Sequence, residues 1–132
     1  MDPVRKALKE TLEDDNSLML MAEGGVHYRL APPDSRDQAH VIFQKMSGTR
    51  MYTFADEPMR NQVWLVKGVG PAAVAEDMND RCLAVLAEEL SVDNYAVLLQ
   101  PMAEDDVSYA EVADGEVIQH EGTNYRVVVE LQ

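Results

Sequence analysis

The chain reads as an α+β domain, with an antiparallel or mixed β-sheet covered on one face by two helices. Three observations predict this. One amphipathic helical segment opens the chain and a stronger one begins near position 71. Between and after them lie short apolar runs rich in β-branched and aromatic residues, broken by Gly, Pro and Asp-Gly.

The elements follow in order. Asp2 is placed to cap a helix and Pro3 fits its first position, while Val4, Ala7, Leu8, Thr11 and Leu12 share one face, so the helix should run to about Glu13. Ser17 to Ala22 is a short helical or irregular piece that Gly24-Gly25 ends. Val26 to Leu30 predicts a short strand stopped by Pro32-Pro33, which cannot donate to a continuing ladder. The apolar runs Val41-Ile42-Phe43 and Val63-Trp64-Leu65-Val66 predict two more strands. A long loop, Ser47 to Gln62, should join them, and it carries Met51, Tyr52, Phe54 and Met59, more apolar surface than a plain connection needs.

Pro71 opens the strongest helix, whose apolar stripe is Val74, Ala75, Met78, Cys82, Val85, Leu86 and Leu90. A strand near Ala96 to Leu99 should end at Pro101. The C-terminal third reads as a meander: Val107 to Ala113, a turn at Asp114-Gly115, Glu116 to His120, then Gly122 leading into Tyr125 to Leu131.

With 132 residues in one continuous pattern, a single domain spanning 1–132 is expected. No apolar run reaches about 18 residues, so no membrane span or membrane partner is predicted. The opening MDPVRKALKE is charged and unlike a signal peptide, and the single Cys82 suits a reducing, intracellular setting. The formal net charge of −13 opposes affinity for nucleic acid phosphates. The ordinary reading of such a balance is a soluble acidic surface that resists nonspecific association, and the sharper one is an acidic wall that lets DNA slide past.

Catalytic patterns are sparse. His27, His40 and His120 are isolated in sequence, with no ligand pair at metal-site spacing, and Cys82 lies in an apolar helical stripe, where a buried thiol is the ordinary reading. Gly68-Val69-Gly70-Pro71-Ala72-Ala73 matches a dinucleotide fingerprint, G-x-G-x-x-A, between a strand and a helix. Pro71 removes a backbone N–H where a pyrophosphate would bind, and Gln100-Pro101 ends the next strand without the expected ribose-binding carboxylate. A tight strand-to-helix turn explains the match. No catalytic residue, cofactor or metal is expected.

The pattern resembles the phage tail completion and tail terminator proteins, the head–tail joining proteins of long-tailed phages, prophages and gene transfer agents. The residues carrying the resemblance are the first helix, the strand ending in Ala31-Pro32-Pro33, HVIFQKMSGTRMYTF from His40, VWLVKGV from Val63, the amphipathic helix, and the late YAEVADGEVIQHEGTNYRVVVE. The resemblance implies a non-enzymatic virion protein, assembled in the bacterial host cytoplasm. It would form a ring, usually a hexamer, on the end of the tail tube and join it to the head connector, with DNA passing through without specific binding. Arg50, Met51, Tyr52, Phe54, Met59 and Arg60 are the candidate assembly interface. Two other classes stay open: a small-molecule- or peptide-binding module of a bacterial cytoplasm, using a cleft on the helix-free face of the sheet, and an enzyme whose site is assembled only in space. An exposed sheet edge or apolar loop and no deep cleft favour a ring, a well-formed apolar pocket with convergent polar groups favours binding, and a strongly perturbed titratable group in that pocket favours an enzyme.

Overall fold

A computed structural model describes residues 2–51 and 59–132. The elements are α1 (Pro3–Glu13), α2 (Asn16–Met21), β1 (Val26–Tyr28), a 3₁₀ turn at Pro33–Ser35, β2 (His40–Met51), β3 (Met59–Gly70), α3 (Ala72–Leu86), β4 (Tyr95–Ala113) and β5 (Glu116–Leu131). The five strands form one mixed sheet in the order β1-β2-β3-β5-β4, with β1 parallel to β2 and the remaining pairs antiparallel. This is the α+β class expected, with the short α2 added to the two covering helices.

Period-two alternation sets the two faces of the sheet. Val41, Phe43, Trp64, Val66, Tyr125, Val127 and Val129 are buried in one cluster with Val4, Leu8 and Leu12 of α1, Leu18 of α2, and Met78, Cys82 and Leu86 of α3. On the opposite face, Ile42 and Val69 form a small second cluster with Ala31, and Ile118 packs against it. Asp2 fastens the start of α1 to the sheet. Its carboxylate caps Val4 N at 2.9 Å and accepts from Gln62 Nε2 at 2.8 Å and Lys45 Nζ at 3.2 Å. Gln62 Oε1 in turn accepts from the buried Trp64 indole at 2.9 Å.

Four sequence expectations need correction. The joining segment is shorter than Ser47 to Gln62, because β2 continues to Met51 and β3 begins at Met59. The pairing runs from Ser47↔Val63 to Met51↔Met59, past a bulge between Lys45 and Ser47. This arm reads as a loop because its residues are mostly polar; from Lys45 to Arg50 every residue of β2 is exposed. Second, β1 stops at Tyr28 rather than Leu30. Arg29 takes φ 67°, and Leu30 N donates to Tyr28 O at 2.8 Å, closing a three-residue γ-turn.

Third, Pro101 does not end its strand. β4 runs from Tyr95 to Ala113, with its register shifting around Pro101 between Leu99 and Met102. A border strand tolerates this because one side of its backbone has no ladder to supply. Fourth, β5 is one strand through Gly122, not two pieces. Asp114-Gly115 does form the turn, with φ 51° and 79° at its two central residues, as a type I′ hairpin requires.

Candidate functional site

The fingerprint-like Gly68 has a packing reason. A Cβ there would lie 2.9 Å from both Ala75 O and Met78 Cβ, so glycine lets α3 lie directly on β3. Pro71 is the N-cap of α3. Cys82 is buried and its thiol is pushed up to about 12 by burial, which leaves it protonated and unreactive. Among the described residues, no group of three or more His, Cys, Asp or Glu side chains is placed to hold a metal ion, and no helix is long and apolar enough to cross a membrane.

The helix-free face carries a cleft of about 410 Å³. Its floor is Ile42, Val69, Ala31 and Ile118; one wall bears Arg29 and Arg36, the other Glu111, Asp114 and Glu116. The register brings two of the scattered histidines together, since His40, Val69, His120 and Tyr109 are successive cross-strand partners on β2, β3, β5 and β4. His40 Nδ1 donates to Gln38 O at 2.8 Å. Burial, reinforced by His27, His120 and Lys67 nearby, holds its pKa below the ordinary histidine value despite that bond. The ring of His120 stacks on Tyr109 at 4.4 Å and donates from Nε2 to Glu111 Oε1 at 2.6 Å. Its Nδ1 is buried with no hydrogen-bond partner among the described residues. Lys67 Nζ donates to Tyr109 OH at 2.8 Å. Sequence spacing could not reveal this group, because its members lie on four strands.

The described members of the expected assembly set, Arg50, Met51, Met59 and Arg60, lie at the other end of the sheet. Arg50 and Met51 end β2, Met59 and Arg60 begin β3, and they are paired as Arg50↔Arg60 and Met51↔Met59. The Arg60 guanidinium sits 5.5 Å from the Tyr95 ring centroid. Tyr52 and Phe54 lie outside the described residues.

A third feature was not foreseen. β4 borders the sheet, and from Met102 to Ala113 every residue except the half-buried Val107 is exposed. This stretch presents Met102, Tyr109 and Val112 to solvent beside Glu104, Asp105, Asp106 and Glu111. Its signal in the sequence was an alternation too weak to assign a face, interrupted by Pro101.

Neither a family model nor a curated protein sequence matches the chain significantly. Solved structures do. A component of the virion of a native gene transfer agent particle superposes with a TM-score of 0.73, covering 97% of this chain and 95% of that one at 13% identity. The gp17 protein of bacteriophage SPP1 superposes with a TM-score of 0.53, covering 94% and 86% at 21% identity. The chain thus has, over nearly its whole length, a fold found in a gene transfer agent virion and in a phage protein.

Proposed function

We propose that this chain is a non-enzymatic tail terminator or tail completion protein. It closes into a ring, of six copies by the resemblance, on the end of a phage or prophage tail tube and provides the surface that a head connector joins. It is built into the virion in the bacterial host cytoplasm. The observation that carries the proposal is the long exposed border of β4, whose outer edge pairs with no strand among the described residues and which presents Met102, Tyr109 and Val112 among its carboxylates. The fold likeness to a virion component supports it. The charge of −13 suits a ring through which DNA passes without binding.

Arg50, Met51, Met59 and Arg60, at the described ends of β2 and β3, contribute to one contact of the ring together with Tyr52 and Phe54 of the segment between them. Replacing Met51, Tyr52 and Phe54 by serine should leave the circular dichroism spectrum and melting temperature unchanged and abolish assembly; unchanged assembly refutes this role. Electron microscopy and native mass measurement of the protein, alone and mixed with tail-tube protein, test the function as a whole. Rings or capped tube ends are expected, and a strict monomer indifferent to tubes overturns the reading.

The cleft over Ile42 and Val69 favours a second reading, a module binding a small molecule or peptide on the helix-free face. A saturable ligand whose binding is lost in Ile42→Glu, in a protein that never engages tubes, would establish it instead.

A further inference from the structure

The charges of this acidic chain are unevenly placed. From Met102 to Glu121 there are seven carboxylates and no Lys or Arg, all on β4, the Asp114-Gly115 turn and the start of β5. The opposite border of the sheet is β1, and there the cations gather. Arg5 and Arg29 both pack on the Tyr28 ring, with guanidinium carbons 3.8 Å and 5.0 Å from its centroid. Arg5, Lys6 and Lys9 line a depression on α1 with His27, Tyr28 and the exposed Leu30. Glu10 and Glu13 line it too, and Lys6 is held by Asp93 at 3.0 Å, so Arg5 and Lys9 supply most of its positive character, with Arg29 beside it on the Tyr28 ring.

We propose that the α1–β1 corner of one copy receives the acidic β4 border of a second copy. This inference rests on the ring reading and specifies one of its contacts. The surfaces differ and lie at opposite borders of one sheet, so the contact is head-to-tail, the kind that closes into a ring when the rotation per copy permits. Contact between two β4 borders would oppose carboxylates to carboxylates, and contact between two corners would oppose cations to cations. Opposite charges select the head-to-tail pairing and speed encounter, while Leu30 and Tyr28 on one side and Met102 and Tyr109 on the other supply apolar area. The contact needs side chains only, without continuous strand pairing.

The test uses the full chain and two double charge reversals of exposed residues, Lys9→Glu with Arg29→Glu at the corner and Asp105→Lys with Asp106→Lys on the border. Sedimentation of the wild type should show association that weakens as salt rises from about 0.05 to 0.5 M, and each variant alone should associate at least about tenfold more weakly. Mixing the two variants, or combining all four changes in one chain, should restore association, an outcome that misfolding cannot produce. Association of either single-surface variant at the wild-type level, or failure of the mixture to recover, overturns the proposal. A wild type monomeric at low salt and high concentration overturns it as well, whereas rings that ignore tail tubes would overturn the tail-end reading and leave this contact standing. Binding of labelled duplex DNA by the wild type, lost in the corner variant with association unchanged, would make the corner a phosphate site and refute its role between copies.

Discussion

At the residue scale, the buried polar groups decide what can be tested. His40 titrates below its ordinary value because burial disfavours the imidazolium. The unfolded chain therefore binds a proton at higher pH than the folded one. The contribution of neutral His40 is fully present above about pH 6.5 and is lost as pH falls through the lowered folded value. Urea midpoints measured from pH 7.5 to 5 should fall more steeply for the wild type than for His40→Asn; parallel profiles would contradict this. Tyr125 is buried among the core residues, its hydroxyl has no hydrogen-bond partner among the described residues, and burial raises its pKa. Tyr125→Phe should thus leave stability unchanged or raise it by about 1 kcal/mol, where a satisfied phenol would lose a similar amount. None of this was readable in order along the chain, because the two histidines of the cleft meet only through the pairing of β2, β3 and β5.

At the element scale, close approach and capping hold the helices to the sheet. In Gly68→Ala the new methyl would meet the Ala75 carbonyl oxygen at 2.9 Å, backbone that cannot swing aside, so α3 must shift. A loss of about 1–3 kcal/mol is expected from denaturant unfolding, although alanine is the better residue for strand entropy. Asp15 joins two helices, accepting from Leu18 N at 2.8 Å as the cap of α2 and from Arg81 of α3 at 2.7 and 2.6 Å. Asp15→Ala should cost about 1–2 kcal/mol, mostly for the cap, and Arg81→Met less, since the Arg81 side chain is 39% exposed and its charge is screened by water. The Arg81 guanidinium also holds the Asp15 carboxyl below its ordinary value, so this contribution is present above about pH 4 and disappears as pH falls through the lowered pKa. The helices were legible because their apolar stripes have helical period. The arm of β2 and β3 and the outer part of β4 were not, because strands without a buried face carry no alternation to read.

At the scale of the whole molecule, charge acts on fold and assembly in opposite directions. With −13 formal charges, self-repulsion strains the compact chain, so moderate salt should raise the melting temperature while weakening the head-to-tail association proposed above. Calorimetry and sedimentation across one salt series would show the two trends diverge; parallel trends would argue against a charge-driven contact. Solubility should be lowest near pH 4.4, the isoelectric point. The sequence by itself determined the class, the helices and their buried stripes, the Asp114-Gly115 turn and the acidic balance. These are local: period, turn chemistry and composition act within a few residues and leave their mark there. The tertiary structure decided the strand order, the pairing that makes β4 a border, the gathering of cations opposite the carboxylates, and the cleft over Ile42 and Val69. Each of these depends on which distant strands become neighbours, a choice made by burying faces against one another rather than by any short run of residues.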